Sequence, residues 1–260
     1  MNKTIKDTIK STVKFAAILI PFAAVGGFFT GKYAYASYSQ DIQQMILEQI
    51  GDVNTLAVIT AVQSVMYMVF CTVFGYILAE KTGLLKPLKY EKDKLIKTVL
   101  SAVICGIIFS LDYWVFGRFI PQVAASYESG LLYKNADNWI SSVLYGGIVE
   151  ELMLRFFMMS LVAFIIWKLF FKKYIKEEIP VKVFVIANII CALLFAAGHL
   201  PATLSMFGEL SFIILFRCFL LNGVFGFVFG ELYRRYGIQY AFVGHMGTHI
   251  VSKLIWMMLL

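Results

Sequence analysis

Five ionisable residues that could carry chemistry lie inside hydrophobic segments of this chain of 260 residues. The only histidines of the sequence are His199, His245 and His249, and all three follow the adjacent acids Glu150 and Glu151. Ionisable groups are costly in hydrocarbon, so those found there usually belong to a functional site. The pattern predicts an active site inside a membrane.

The two acids belong to the sequence Glu-Glu-Leu-Met-Leu-Arg at Glu150–Arg155. On a helix, Glu151 and Arg155 are four residues apart with the acid first, which is the favourable orientation for an ion pair. Glu150 is rotated by about 100° from Glu151 and stays out of that pair. Since desolvation makes an unpaired carboxylate a stronger base, we predict that Glu150 is a general base or ligand.

His245 and His249 are also four residues apart, on one face of the last apolar segment. Two imidazoles at this spacing can hold one metal ion or one polarised water molecule between them. His199 belongs to a different segment. Counting along that segment from Lys182 puts it near the outer membrane surface, so for His199 to join the site this helix must tilt, break or begin deeper.

Long apolar segments must position these side chains. Hydrophobic residues make up 60% of the chain and charged residues 15%, and the mean hydropathy is +0.78. This composition predicts an all-α polytopic membrane helix bundle rather than a water-soluble domain. Runs near the spanning length of about 20 residues lie at 15–31, 55–79, 98–117, 139–171, 183–199, 210–230 and 239–260. These are seven predicted spans, with an eighth if the run 139–171 is broken.

The net charge of +7 is distributed by loop. The basic residues of alternate connections are Lys3, Lys6, Lys10, Lys14, Lys81, Lys86, Lys89, Lys92, Lys94, Lys97, Lys168, Lys172, Lys173, Lys176, Lys182, Arg234 and Arg235. The other connections carry Lys32, Arg118 and Lys134. This positive-inside pattern predicts a multi-pass protein of a bacterial cell membrane with a cytoplasmic N-terminus and an external C-terminus. It also predicts contact with anionic lipid rather than with nucleic acid.

Two intramembrane charges and the cysteines have simpler interpretations. Asp112 and Arg217 are expected to pair or to reach the membrane interface. The four cysteines lie within the spans without the close spacing of a metal site, so we expect them to be packing residues.

Three motifs resemble those of the CPBP family of intramembrane proteases, which includes the CAAX prenyl endopeptidases and the Abi-type bacterial proteins. They are the Glu-Glu-x-x-x-Arg motif at Glu150–Arg155, Phe-x-x-x-His at Phe195–His199, and a His-x-x-x motif that begins at His245. The resemblance covers roughly residues 139–260 and implies a catalytic core there. The N-terminal transmembrane helices and loops predicted in 1–138 match the family only in being hydrophobic. The family commonly has Asn at the end of the last motif, where this chain has His249.

The resemblance also implies a role for each site residue. Glu150 would activate a water molecule with help from His199, and His245 and His249 would stabilise the oxyanion. Glu151 and Arg155 would hold the helix. A set of Glu150, His199, His245 and His249 is equally acceptable as a Zn²⁺ site and as a metal-free base with an oxyanion hole, so both mechanisms stay open.

The leading hypothesis is a peptidase that cuts a hydrophobic or membrane-associated peptide or protein. The first alternative is a catalytically silent membrane scaffold or a bacteriocin-immunity type of protein, and the intact Glu150, His199 and His245 argue against it. The second alternative is a proton-coupled transporter, in which buried acids and histidines form a relay. The absence of a visible internal repeat argues against a transporter.

Overall fold

The computed structural model of the protein describes residues 5–260. Lys3 and the side chain of Lys6, two of the basic residues that enter the topology prediction, lie outside that description. The helices are α1 Ile5–Ser37, α2 Gln40–Ile50, α3 Val53–Thr82, α4 Lys92–Ser110, α5 Asp112–Phe116, α6 Pro121–Glu128, α7 Ala136–Phe170, α8 Val181–Gly198, α9 Leu200–Phe207, α10 Phe212–Tyr236 and α11 Ile238–Leu259. The described residues contain no strand, and the prediction of an all-α membrane bundle is confirmed.

Six helical segments within residues 5–260 are long and apolar enough to cross a membrane. They are Asp7–Ser37, Val53–Thr82, Lys92–Phe116, Ala136–Phe170, Val181–Phe207 and Phe212–Tyr236. The run 139–171 is not broken, because α7 is continuous from Ala136 to Phe170, so no eighth span arises there. The seventh predicted span corresponds to α11, which is 22 residues long but carries polar side chains and is not among these six segments.

Lipid and local capping together explain the long helices. In hydrocarbon every backbone group must bond within its own segment, which a helix achieves. Helix α3 begins at Asp52, whose carboxylate accepts from the backbone N–H groups of Asn54 and Thr55 at 2.7 and 3.1 Å. It ends at Gly83, which has a positive φ of 79° that glycine adopts without strain.

The chain crosses the bundle back and forth, so its connections collect at two ends. At the basic end, the side chain of Gln239 donates to the carbonyls of Pro87 and Lys89 at 2.9 and 3.1 Å. At the opposite end, Trp256 Nε1 donates to the carbonyl of Ser110 at 2.8 Å. The basic end therefore includes the lysine-rich connections 83–91 and 171–180, and the opposite end includes 38–52, 117–135 and 208–211.

Helix α11 lies between α4 and the first half of α7. Small residues allow this close approach: a Cβ on Gly106 of α4 would lie 2.6 Å from the Cβ of Val251. A Cβ on Gly147 of α7 would lie 2.1 Å from the Cγ of Met246. Close packing at glycine is typical of helix interfaces in membranes, and here it brings the histidines of α11 against the acids of α7.

The four cysteines are buried and free, as the sequence predicts for packing residues. A short amphipathic helix, α2, lies between the first two spans.

Candidate active site

A cavity of about 380 Å³ lies between the helices towards the opposite end of the bundle. Glu150, His199, His245 and His249 all line it, so the fold brings together four residues that the sequence singles out. Most of the remaining wall is apolar or aromatic. Wall residues of this kind include Ala34, Phe109, Leu132, Phe195, Met206, Phe207, Leu221, Phe225, Phe229 and Trp256.

Helix α7 is wound as a π-helix on both sides of the acidic pair, at Ser141–Glu150 and Leu152–Met159. The hydrophobic pattern of the sequence does not predict this winding. A π-helix is rare in proteins, and where one occurs it often lies at a functional site. The two adjacent acids face different surroundings. Glu150 faces the cavity, whereas Glu151 is completely buried.

Glu151 is the centre of a buried polar network. Its Oε1 accepts from Arg155 Nη1 at 2.8 Å and from His245 Nδ1 at 2.8 Å. The predicted ion pair between Glu151 and Arg155 is therefore present. Arg155 also donates to the carbonyl of Gly226 at 2.9 Å and lies over the ring of Phe195 at 4.4 Å. These contacts join α7 to α8, α10 and α11.

The network decides which nitrogen of each α11 histidine carries a proton. A carboxylate only accepts, so His245 Nδ1 donates to Glu151 and His245 Nε2 keeps its lone pair. His245 Nε2 lies 3.1 Å from His249 Nε2, and His249 is then the donor in that contact. The Phe229 ring stacks on His245 at 4.5 Å between centroids and restricts the rotation of the imidazole.

His199 lies at the junction of α8 and α9. Its Nδ1 lies 2.8 Å from the carbonyl of Phe195 and donates to it, so Nε2 is left as an acceptor on the cavity side. The count from Lys182 puts His199 near the outer surface unless its helix tilts, breaks or begins deeper. The helix does break at His199, between α8 and α9, and the helical segment then continues to Phe207.

Gly146 shows how close the functional groups are to one another. A Cβ built on Gly146 would lie 3.6 Å from His245 Nε2, 3.6 Å from His249 Nε2 and 3.7 Å from Glu150 Oε2. Because the glycine has no side chain, the space between these three atoms is open. The carboxylate of Glu150 and the two imidazoles therefore border one small space beside Gly146.

The predicted Zn²⁺ set can be compared with this arrangement. Within residues 5–260, no group of three or more His, Cys, Asp or Glu side chains is positioned to hold one metal ion. The arrangement instead satisfies His245 and His249 by a mutual hydrogen bond. Zinc binding therefore stays a prediction.

Two basic side chains also line the cavity, Arg217 and Lys253. Arg217 makes two hydrogen bonds with Asp112, one from Nε to Oδ1 at 2.7 Å, and Tyr127 donates to the same carboxylate at 2.6 Å. Asp112 and Arg217 are each expected to pair or to reach the membrane interface, and the structure shows that they pair with each other. Burial raises the pKa of Tyr127 well above its usual value, so this phenol stays a donor.

Lys253 is a cavity residue that the sequence reasoning missed. A signal for it exists, because Lys253 follows His249 by four residues and so belongs to the same face of α11 as both histidines. Asn222 of α10 was also missed. Its amide donates to the carbonyl of Cys218 at 2.9 Å and lines the cavity.

Residues 132–251 match the family model described as type II CAAX prenyl endopeptidase Rce1-like. The match is consistent with the CAAX protease family. The match begins a few residues before the core predicted at 139–260 and contains Glu150, His199, His245 and His249, but it ends before Lys253. No curated protein and no solved structure matches the chain. The similarity to this family supports endopeptidase activity in general, and the six long apolar helices indicate a membrane protein.

Proposed function

We propose that this protein is an intramembrane endopeptidase that hydrolyses a hydrophobic or membrane-associated peptide, with Glu150 as the general base. One observation carries the proposal. Within the described residues, the Glu150 carboxylate faces the cavity without a hydrogen-bond partner, while the adjacent Glu151 is buried and accepts from Arg155 and His245 through Oε1. A carboxylate kept free in a mostly apolar cavity is suited to accept a proton from water.

The reaction needs four events. A water molecule in the space beside Gly146 gives a proton to Glu150 as its oxygen attacks the peptide carbonyl carbon. The carbonyl oxygen becomes an oxyanion in a tetrahedral intermediate. Glu150 then returns the proton to the leaving nitrogen, and the C–N bond breaks to give a carboxylic acid and an amine. His199 Nε2 is an acceptor that can orient the second hydrogen of the water.

The two α11 histidines have different roles in this scheme. His249 carries the Nε2 proton, so it is the imidazole that can turn from His245 and donate to the oxyanion. Before the oxyanion forms, His245 holds the imidazole of His249 through the contact of 3.1 Å between the Nε2 atoms. Glu151 is a positioning residue, because its hydrogen bond to Nδ1 selects the tautomer of His245.

The apolar wall determines the kind of substrate. Aromatic and aliphatic side chains favour apolar peptide segments, and a cavity of about 380 Å³ lies within the usual range for ligand sites of roughly 300–1,000 Å³. A peptide already in or on the membrane would reach such a cavity without leaving its apolar surroundings.

The distribution of charge indicates from which side the peptide arrives. Lysine-rich connections collect at the basic end, which the positive-inside rule places in the cytoplasm. Anionic lipid would contact this end. The cavity lies towards the opposite end and reaches Ser37 and Tyr38 at the end of α1. We therefore assign a cytoplasmic N-terminus, an external C-terminus, and substrate entry from the non-cytoplasmic side of a cell membrane.

The test is cleavage of apolar peptides by the detergent-purified full chain beside Glu150→Gln. The amide is nearly isosteric with the carboxylate, so the variant should fold normally and lose activity. Arms with and without a chelator determine whether a metal takes part. Cleavage by Glu150→Gln at the wild-type rate would reject Glu150 as the base.

A further inference from the structure

Lys253 is a buried amine on the wall of the cavity. The residue is 2% exposed, and its Nζ donates to the carbonyl of Asn138 at 3.0 Å. The ring of Trp139 lies 5.5 Å from Nζ. A lysine ammonium has three hydrogens to donate, and within residues 7–260 only this one acceptor is found for it.

The other basic side chain of the cavity provides a contrast. Arg217 is neutralised by Asp112, so that pair presents little net charge. No carboxylate among the described side chains lies within ion-pair distance of Lys253. Burying an ammonium without an anion is strongly unfavourable, and the cost is relieved when an anion enters the cavity beside it.

We propose that Lys253 is a specificity-determining residue that binds a carboxylate group of the peptide substrate. This inference rests on the proposed endopeptidase function. His245, His249 and Lys253 follow one another at four-residue intervals, so their backbones are about 6 Å apart along α11. The carboxylate therefore binds about one helical turn from the reacting carbonyl, on the side towards the opposite end of the bundle.

Two kinds of peptide carboxylate have this chemistry, the C-terminal carboxylate and the side chain of Asp or Glu. Neutral versions of each are available, namely the C-terminal amide and the Asn or Gln peptide. An ammonium in a dry site binds a carboxylate through its negative charge. If the C-terminal carboxylate is recognised, the C-terminal amide should bind more weakly. If a side-chain carboxylate is recognised, the Asn or Gln peptide should bind more weakly.

The experiment measures binding of fluorescently labelled apolar peptides to the detergent-solubilised full chain carrying Glu150→Gln, which prevents turnover. We expect the peptide with the recognised carboxylate to bind about 10- to 100-fold more tightly than its neutral version, as for hydrogen bonds to charged groups. Lys253→Met should abolish this preference, and Lys253→Arg should keep much of it. Lys134→Met is the matched control, because it removes an exposed lysine at the same end of the bundle, and it should leave the preference unchanged.

The outcomes separate this inference from the proposed function. Equal binding of all charged and neutral peptides would overturn the role of Lys253, and so would a preference that persists in Lys253→Met. If Lys253→Met fails to fold, the inference is still tested by comparing the binding of charged and neutral peptides to the Glu150→Gln protein with and without Lys253→Arg. If wild-type protein cleaves the peptides without any preference for a carboxylate, only the inference fails. If it cleaves none of them, the endopeptidase function itself is rejected.

Discussion

Replacing Gly146 by alanine would fill the space between the proposed base and the two α11 imidazoles. The added methyl carbon would lie 3.6 Å from His245 Nε2, 3.6 Å from His249 Nε2 and 3.7 Å from Glu150 Oε2. These are ordinary van der Waals distances, so no side chain has to move. A water molecule that bonds both Glu150 and an imidazole must lie about 2.6–3.2 Å from each, and the methyl group would crowd that position.

We therefore expect Gly146→Ala to separate activity from stability. Alanine favours a helix over glycine by roughly 1 kcal/mol, so the free energy of unfolding should stay the same or rise slightly. Displacing the attacking water should lower kcat at least about 100-fold, since misplacement of a reacting group by 1 Å can have that effect. This loss corresponds to roughly 2.7 kcal/mol in the activation free energy.

The assay compares peptide cleavage and thermal unfolding of wild-type protein, Gly146→Ala and Gly198→Ala. Gly198 is the matched control, because a Cβ there would meet no atom within 4 Å although the residue precedes His199. Gly198→Ala should behave as wild type in both measurements. Wild-type cleavage by Gly146→Ala would refute the position assigned to the water and, with it, the cooperation of Glu150 with the α11 histidines.

Three further predictions concern the buried network, the departure from the family pattern and the topology. Glu151→Gln should destabilise the fold by about 3–5 kcal/mol, because it leaves Arg155 buried without its anion; unchanged denaturant unfolding in detergent would show that the ion pair is not structural. His249→Asn should keep much of the activity, while His249→Ala should lose about 2.7–4 kcal/mol of transition-state stabilisation. Elemental analysis checks the donor role, which is rejected if wild-type protein holds stoichiometric zinc that His249→Asn loses. Reporter fusions in the 80–97 and 168–182 regions should read cytoplasmic, and an external signal from either would reverse the assigned orientation.

Much of the site could be predicted from the sequence because part of its geometry is local. Residues four apart on a helix face each other, so the pair of Glu151 and Arg155 follows from spacing alone. The same rule places His245 and His249 on one face. Apolar run length likewise predicts the segments that form long helices, since a backbone in hydrocarbon has little alternative to the helix.

The relations between helices were decided by the tertiary structure. Glu151 and His245 are 94 residues apart, and no spacing rule relates them. Their hydrogen bond forms because Gly106 and Gly147 allow α11 to approach α4 and α7 closely. The burial of Lys253 without a carboxylate partner depends in the same way on neighbouring helices. Hydrophobic periodicity records which face of a helix is apolar, whereas the partner of each polar group is selected by packing between segments that are distant in sequence.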